Sequence, residues 1–569
     1  MVNDFIERWA RLRDQREDQV FLVLTILIGA LAGLAVVAFI VLTERLGMRL
    51  YPVGSAAWRR VLVPIGGSLA MGYLLYRYFP NARGSGVPQT KAALFAREGF
   101  ISLRTVLGKF GCTAATLASG IPLGREGPSV QVGAGIASVL GRALGLRPEK
   151  IKALLPVGAS AAIAAAFNTP MAAVVFSLEE VMGDLNAPVL GSVVMASATS
   201  WMVLRLILGN NPLFHVPQYE LVHPLEFAVY AVLGVAGGFL SVAFTKLLLE
   251  MRKRFLLLPR KTWWWHPVVG GIIVGLMGWF VPQVLGVGYV YVGAALNSTM
   301  AFKLMALLVA LKLFAVTVSY ASGNAGGIFG PSLFLGAMLG GTIGSVAHHY
   351  LPGYTASPGA YALVGMGALF AGIVRAPMTS VLMIFEMTRD YSVIVPLMIA
   401  NLASLFISSR FQKQPIYEAL AHQDGIHLPN IKERSGSGRR TVALIMRGVT
   451  EFLPAEMSVQ QAVESVRASK FRAWPVMDQG NIVGVLARSA LESANGDGRK
   501  EQAVLGLVET LEFPHVHTDH ALHLALERMS QARIDILPVV NRADVHKLEG
   551  IVTLRDVLDS YGVDSQGPA

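Results

Sequence analysis

The stretch SGIPLGREGPSVQVGAGIASVLG, which begins at Ser119, recurs as SGNAGGIFGPSLFLGAMLGGTIG from Ser322. At an offset of 203 the two copies share nine identical residues, including one Gly-Pro pair in each. The match continues upstream, where GSGVPQTKAAL from Gly84 pairs with GVGYVYVGAAL from Gly286. An internal duplication of this kind predicts two related halves that meet at a shared axis, with a binding site near the middle of the membrane.

The composition places most of the chain in lipid. Hydrophobic residues make up 53% of the sequence and charged residues only 15%, which is typical of a membrane protein. Fourteen apolar runs lie between about residue 20 and residue 410, and several are shorter than the ~20 residues that a spanning helix needs. We therefore predict an α-helical polytopic membrane protein in which some helices are tilted, broken or buried among others.

The net charge of +11 does not predict nucleic-acid binding, because the basic residues lie in short loops and in the tail rather than on one aromatic-rich face. Positive-inside sorting explains them better. The clusters RWARLRDQR near Arg8 and MRKRFLLLPRK from Met251 would then be cytoplasmic, while the loop from Asn210, which has no Lys or Arg, would face outward. We expect an inner-membrane protein with cytoplasmic N- and C-termini. The single Cys112 excludes a disulfide within the chain.

A soluble tail follows the apolar part. After Arg410 polar residues return, and SGSGRR from Ser435 is typical of a linker. The tail places a Pro-Val pair before a turn twice, in AWPVMDQGNIVGVL and in ILPVVNRADVHKLEGIV, which predicts two α/β modules, the first opening with a strand near Thr441. The predicted domains are a cytosolic N-terminus (1–19), a first membrane repeat (20–209), an external loop (210–224), a second membrane repeat (225–420), a linker (421–440) and two tail modules (441–500 and 501–563).

The glycine-rich motif GREGP, from Gly124 to Pro128, opens an apolar run, as a loop leading into a helix N-terminus does. Unpaired N–H groups and the positive end of the helix dipole favour an anion there. The alternative is that the glycines only allow close helix packing. Glu126 favours the anion site: the second copy has Phe329 at that place, so packing does not require a carboxylate, which is costly inside a membrane. Such a carboxylate can compete with an anion when ionised and leave when protonated.

The motifs GSGVP, GREGP, GGIFGP and PIYEAL, in this order, resemble those of the CLC family of chloride channels and proton-coupled chloride transporters. The resemblance implies two inverted membrane repeats, a homodimer with one pathway in each subunit, and a tail of tandem cystathionine-synthase-type (CBS) domains. It implies a transporter or channel rather than an enzyme. Glu126 corresponds to the gating glutamate. The implied chloride-binding residues are Ser85 and Tyr417 through their hydroxyls, Ile328 and Phe329 through their amides, and Arg125 and Gly127 around the gate.

Two neighbouring acids bear on the choice between an exchanger and a channel. Glu179 recurs as Glu386 in the second repeat, so we expect a structural role for both, such as binding loop amides. Glu180 has Met387 opposite it, and by the resemblance an acid at this position is the internal proton-transfer residue of exchangers. We therefore expect chloride/proton exchange, with a passive chloride channel as the alternative. Exchanger relatives place acids just after GSGVP, where this chain has other residues, Gln89 and Lys91.

The tail resembles nucleotide-binding CBS domains in its second copy only. GIVTLRD, from Gly550, would bring Thr553 to a phosphate or ribose and Asp556 to ribose hydroxyls. The first copy has no aspartate at the matching place, so at most one adenine-nucleotide site is expected, and a purely structural tail remains the alternative. A third hypothesis is a membrane-anchored nucleotide sensor. No other cofactor is expected, and no metal site is predicted at the four tail histidines, which are His515, His517, His520 and His523.

Overall fold

The computed structural model describes residues 17–562, except 53, 186–188, 210–212, 215, 218, 220, 427–439, 450, 470, 509–512, 519 and 542–543. The basic cluster near Arg8, most of the predicted linker and part of the predicted external loop therefore lie outside the described residues. The chain forms two compact units, which divide between Leu428 and Pro429.

The first membrane repeat contains eight α-helices among the described residues. They are α1 (Glu17–Leu50), α2 (Arg59–Arg77), α3 (Val87–Ala96), α4 (Leu103–Ala118), α5 (Glu126–Ala143), α6 (Pro148–Phe167), α7 (Pro170–Phe176) and α8 (Leu190–Leu208). Helix α7 continues into one π-helical turn, Ser177–Met182. Cys112 lies buried and free in α4.

The second repeat builds the same eight helices in the same order, and one more follows. They are α9 (Glu226–Leu256), α10 (His266–Phe280), α11 (Tyr289–Leu296), α12 (Phe302–Ala321), α13 (Phe329–Tyr350), α14 (Pro358–Val374), α15 (Pro377–Thr388) and α16 (Ile394–Phe411), and then α17 (Ile416–Gln423). Proline opens α6 and α7 and also their counterparts α14 and α15, because the first helical residue needs no N–H partner within the helix. The predicted duplication is confirmed.

Seven helices of the described chain are long and apolar enough to cross a membrane. The outward surface of the unit is apolar: Leu206 and Phe280 are each 80% exposed, and Val290 is 82% exposed. Exposure of such side chains to water is unfavourable, whereas their contact with lipid tails is not. The shorter helices α3 and α17 are mostly buried among the others, as the irregular backbone beside them requires in a membrane.

Two reciprocal contacts mark the axis between the repeats. Gly124 and Gly327, which are equivalent in the two copies, form an antiparallel bridge with N–H···O distances of 2.7 Å in both directions. The Glu179 carboxylate accepts hydrogen bonds from the amides of Met378 (3.2 Å) and Thr379 (2.8 Å). Glu386 accepts the matching pair from Met171 (3.0 Å) and Ala172 (2.7 Å). The structural role predicted for the two glutamates is confirmed.

The soluble unit contains two similar α/β arrangements. The first has β1 (Leu453–Pro454), α18 (Val459–Ser465), β2 (Ala473–Asp478), β3 (Asn481–Ala487) and α19 (Arg488–Gly496), with sheet order β1-β2-β3. The second has α20 (Leu522–Ala532), β4 (Ile536–Val540), β5 (Leu548–Thr553) and α21 (Leu554–Ser560), with β4 paired to β5. Each antiparallel pair carries a register shift just after the Pro-Val pair, so the predicted repeat of the tail is confirmed.

The strand expected near Thr441 is wrong. Val442–Leu444 forms one 3₁₀ turn, and Thr441 makes only an isolated bridge, with Ala521. The amide of Val442 donates to the carbonyl of His520, a residue of the second half of the tail. Val442 is therefore buried in the core of the second half without joining a sheet, whereas Leu444 is 70% exposed, and a short apolar run cannot by itself predict this outcome.

Candidate functional site

The two glycine-rich loops bring two helix N-termini together. Helix α5 begins at Glu126 after Arg125, and helix α13 begins at Phe329 after Ile328. Neither Arg125 nor Ile328 caps its helix with a side chain, although the first amides of a helix have no partner within it. All four residues are buried. The arrangement offers uncapped N–H groups to an anion, as the sequence predicts.

The carboxylate of Glu126 lies on the N-terminus of the opposite repeat. It is fully buried, and its Oε2 accepts a hydrogen bond of 3.1 Å from the amide of Gly330, in the first turn of α13. Its Oε1 accepts a hydrogen bond from the hydroxyl of Tyr289, the first residue of α11. Every donor to this carboxylate is therefore a neutral group. The carboxylate takes the place that helix N-terminal donors would give to a free anion.

Arg125 adds a positive charge beside this carboxylate. Its side chain is only 6% exposed, and its guanidinium lies 5.6 Å from the ring centre of Tyr289. Glu44 lies 3.8 Å from the same guanidinium and is largely exposed. From the sequence, Arg125 was expected to act only through its backbone amide. In the structure its side chain also packs on Tyr289, whose hydroxyl binds Glu126.

Ser85 and Tyr417, the two residues predicted to bind chloride through their hydroxyls, are both fully buried. The two side chains approach each other. Neither hydroxyl has a hydrogen-bond partner in the part of the chain that the structure describes. Buried hydroxyls are normally paired, so two unpaired ones at one place are the donors expected for a small anion.

Close backbone packing joins Ser85 to the first loop. A Cβ atom added to Gly127 would lie 2.5 Å from the carbonyl oxygen of Ser85, so any larger residue would separate α3 from α5. The amide of Ser85 also donates to the hydroxyl of Tyr320 at 3.1 Å. The absence of a side chain at Gly127 thus allows this approach, and a role for its amide stays a prediction.

Phe329, the counterpart of Glu126, forms an apolar wall. Its ring centre lies 4.4 Å from that of Phe370, 4.9 Å from that of Phe167 and 5.6 Å from that of Phe176. Aromatic rings at these separations exclude water and pack tightly. The site therefore has one polar, ionisable side and one dry side, which explains why the two copies differ at this position.

The sequence reasoning missed two buried lysines. Lys109 on α4 donates to the carbonyls of Ala82 (3.1 Å) and Gly84 (2.6 Å), and Lys312 on α12 donates to those of Val284 (2.9 Å) and Gly286 (2.6 Å). Both lysines are fully buried, and they are 203 residues apart, the offset of the repeat. Each lysine therefore holds the loop that precedes α3 or α11. Extending the repeat alignment would have found them.

Glu180 lies in the π-helical turn after α7 and is 2% exposed. Its Oε1 accepts a hydrogen bond of 2.7 Å from the ammonium of Lys91, on α3, which is 1% exposed. Lys91, one of the two positions where this chain departs from exchanger relatives, thus contacts the acid that is predicted to transfer protons. π-helical turns often occur at functional sites.

In the tail, Thr553 and Asp556 lie side by side. The Thr553 hydroxyl donates to the Asp556 carboxylate at 2.7 Å, and the two residues form a capping box at the start of α21. Arg447 forms an ion pair with the other oxygen of Asp556. In the first copy, Arg488 donates to the backbone carbonyls of Ser469 and Phe471. The predicted pair is therefore brought together, but its carboxylate already has partners.

The rings of three tail histidines contact one another edge to face. The ring centres of His515 and His517 are 5.2 Å apart, and those of His517 and His520 are 4.8 Å apart. Within the described residues no group of three His, Cys, Asp or Glu side chains is placed to hold a metal ion.

Two family models match the chain. Residues 66–409 match the voltage gated chloride channel family, which is more than half of the sequence. Residues 508–562 match the CBS domain, which corresponds to the second half of the tail.

Individual relatives give the same picture. A protein of Ralstonia nicotianae named as a ClcB-like chloride channel is 35% identical over 381 residues, which cover 65% of this chain and 88% of the relative. The H(+)/Cl(-) exchange transporter ClcA of Vibrio campbellii is 32% identical, with 62% of this chain and 76% of the relative covered. The crystal structure of a slow cyanobacterial Cl−/H+ antiporter matches with a TM-score of 0.66 and 27% identity, over 71% of this chain and 97% of the antiporter.

Proposed function

Because the chain belongs to the voltage-gated chloride channel (CLC) family, we propose that it exchanges chloride for protons across a membrane. The observation that carries this proposal is the Glu126 carboxylate bound to the first turn of α13, where it and an anion compete for the same donors. The Cl−/H+ antiporter with similar structure and the exchange transporter with similar sequence support the same function.

The chloride route in this proposal passes the two unpaired hydroxyls. Ser85 and Tyr417 donate to chloride, and the amides of Ile328 and Phe329 complete the site. Amides and hydroxyls hold the ion without a full positive charge in direct contact, so chloride binds and also leaves. The amides around Arg125 and Gly127 line the outer site, where chloride and the Glu126 carboxylate compete for the Gly330 amide and the Tyr289 hydroxyl.

The proton step follows from the charge of Glu126. An external proton converts the carboxylate to a neutral carboxyl, which loses its attraction to the helix N-terminus. The side chain then leaves the donors, and chloride takes its place. When the carboxyl releases its proton inward, the carboxylate returns and displaces chloride. Glu180 receives that proton on the inner side, so chloride and protons move in opposite directions.

A passive chloride channel is the second candidate, and one contact favours it. In the 2.7 Å ion pair between Lys91 and Glu180, the lysine ammonium already occupies one oxygen of the carboxylate that would have to accept the proton. If Glu180 never takes a proton, Glu126 opens and closes a chloride pore without coupled proton movement.

We further propose an inner-membrane homodimer with cytoplasmic termini. The basic residues at the end of α9, among them Arg252 and Arg254, support this orientation through positive-inside sorting. Dimerisation rests on family membership. Crosslinking of the purified protein in membranes tests it, and monomers alone would contradict it.

We also propose that the second tail module binds an adenine nucleotide at Thr553 and Asp556. The match to the CBS domain and the contact between the two side chains support the proposal. Binding requires Arg447 to give up its ion pair with Asp556, so Arg447→Ala should tighten nucleotide binding in calorimetry of the whole protein. Failure of ATP, ADP and AMP to bind either protein would leave the tail a structural role. Tight binding without any chloride transport would favour the sensor hypothesis.

The exchange proposal is tested with purified protein in liposomes. An imposed chloride gradient should drive protons uphill in the wild type, and Glu180→Gln should stop the protons while chloride still flows. Asp424→Asn, which changes an acid at the end of α17, serves as the control. Chloride flux without proton movement in the wild type would show a channel.

A further inference from the structure

Glu180 is almost completely enclosed by protein. It is 2% exposed, and one of its two carboxylate oxygens is bound by Lys91. Lys91 itself is 1% exposed. A proton that travels between the tail side of the membrane and Glu180 must therefore cross buried protein, and another ionisable group or a water is needed to carry it.

Glu418 is a second buried acid that the exchange mechanism above does not use. It lies on α17, directly after Tyr417, and is 7% exposed. Its Oε1 has no hydrogen-bond partner among the described residues. Buried carboxylate oxygens are costly unless they are paired, so an unpaired one in this position points to a group that binds something absent from the protein itself.

The surroundings of Glu418 connect Glu180 to the surface. Helix α17, which carries Glu418, packs against α3, which carries the Lys91 partner of Glu180, and the charge of Glu418 acts on both Glu180 and Arg375. Arg375 is half-buried and donates to the carbonyl of Lys413 at 3.1 Å. Lys413 is exposed and lies five residues before Glu418. Glu418 thus lies between a solvent-exposed segment and the buried Glu180.

The charges around Glu180 and Glu418 are nearly balanced. Lys91 on α3 faces Glu180, Arg375 at the end of α14 faces Glu418, and α17 packs against α3. Glu179 also repels Glu180, but its own carboxylate is bound by the amides of Met378 and Thr379. The phenol of Tyr417, which also faces Glu180, is neutral. Two carboxylates with two cations form a pair that can take up one proton and lose it again without leaving a large uncompensated charge.

We propose that Glu418 carries protons between the solvent on the tail side and Glu180, and that Lys91 is the positioning residue that holds Glu180 toward it. This inference rests on the proposed exchange function. The proton binds a carboxylate oxygen of Glu418, passes directly or through one water to the free oxygen of Glu180, and leaves Glu418 ionised. Only O–H bonds form and break, and no other reactant is required. Glu418 then supplies from α17 the acid that α3 lacks at Gln89 and Lys91.

The test measures proton and chloride movement together in liposomes for the wild type and Glu418→Gln, with Asp424→Asn as a matched control. Asp424 follows α17 and pairs with Arg252 at the surface. We expect Glu418→Gln to reduce proton movement by about tenfold or more, as loss of a proton-transfer group does, with chloride flux within about twofold of the wild type. At a fixed pH difference across the membrane, the remaining proton rate should change less with the tail-side pH than the wild-type rate does, a readout that a purely structural role would not change.

Three outcomes are distinct. Unchanged proton movement in Glu418→Gln, beside an active wild type, overturns the inference and leaves exchange intact. Absence of uphill proton movement in the wild type defeats the exchange function itself. If Glu418→Gln does not fold, Glu418→Asp replaces it: the shorter acid should keep chloride flux and slow the protons, and a wild-type proton rate would contradict the proposal.

Discussion

Two buried carboxylates, Glu126 and Glu180, have opposite kinds of partner. Neutral donors hold Glu126, namely the hydroxyl of Tyr289 and the amide of Gly330. A cation, Lys91, holds Glu180. Neutral donors at a helix N-terminus accept any small anion and do not select between a carboxylate and chloride. A buried ion pair is directional, and removal of one partner is costly.

In the exchange mechanism that we propose, this difference gives the two ends of the route different tasks. The outer carboxylate is held weakly enough to be exchanged for chloride. The inner one is fixed in place, so it can pass a proton only through a neighbour. The variants below test each side of this contrast, from the largest expected effect to the smallest.

Glu126→Gln should have the largest effect. The carboxamide keeps the size of the side chain, but it is neutral, can no longer accept hydrogen bonds at both positions and cannot carry a proton, so proton movement should fall by about 100-fold or more while chloride still flows. Coupled flux measurements in liposomes check this, with Glu149→Gln at the exposed start of α6 as the control. Wild-type proton movement in Glu126→Gln would remove the outer carboxylate from the mechanism.

Lys91→Met should have the next largest effect. It leaves Glu180 buried without its cation, so we expect a loss of stability of about 3 kcal/mol in thermal unfolding of the purified protein in detergent. Proton movement should also fall, because the uncompensated carboxylate favours its neutral form. The double variant with Glu180→Gln should recover stability but not proton movement. A single variant as stable as the wild type would show that the ion pair does not hold the inner end.

Ser85→Ala and Tyr417→Phe test the region between the carboxylates. Each removes one unpaired hydroxyl and should weaken chloride binding by about tenfold, since a hydrogen bond to a charged group contributes about 1.5–3 kcal/mol. Chloride titration calorimetry measures the loss, and Ser138→Ala, which removes a buried α5 hydroxyl that donates to the carbonyl of Gly99, serves as a control. Unchanged affinity in both variants would exclude these hydroxyls from the anion site.

Tyr289→Phe should have the smallest effect. It keeps the ring beneath Arg125 and removes only the hydroxyl that holds Glu126, so the carboxylate should leave more readily. We expect chloride flux at neutral pH to rise by about fivefold, from the loss of about 1 kcal/mol of hydrogen bonding. Tyr291→Phe, on the same helix, is the control. A flux equal to that of the wild type would mean that the Gly330 amide alone holds the gate.

The repeat made most of the membrane fold predictable. Because one sequence occurs twice, the bounds of the helices in one half indicate those in the other, and the shared role of Glu179 and Glu386 followed from their recurrence alone. The tail was predictable where Pro-Val pairs and turns fixed its strands. The run from Thr441 was not, because a short apolar segment is buried equally well in a sheet or against a neighbouring helix.

The anion site was only partly predictable. Motifs indicated the residues at the two helix N-termini, but not the side chains that reach them from elsewhere. Tyr289 lies 163 residues from Glu126, and Lys91 lies 89 residues from Glu180. Nothing local in the sequence indicates such pairs, because tertiary packing alone creates them. Glu418 stood in the quoted motif PIYEAL, yet only its burial and its unpaired oxygen single it out.

The central claim is that chloride and the Glu126 carboxylate compete for the same donors at the start of α13. Chloride titration calorimetry of the wild type and Glu126→Gln over a range of pH tests it most directly. In the wild type, chloride affinity should rise as the pH falls, because protonation removes the competing carboxylate. In Glu126→Gln the affinity should be higher at neutral pH and independent of pH. Equal affinities with the same pH dependence in both proteins would contradict the claim.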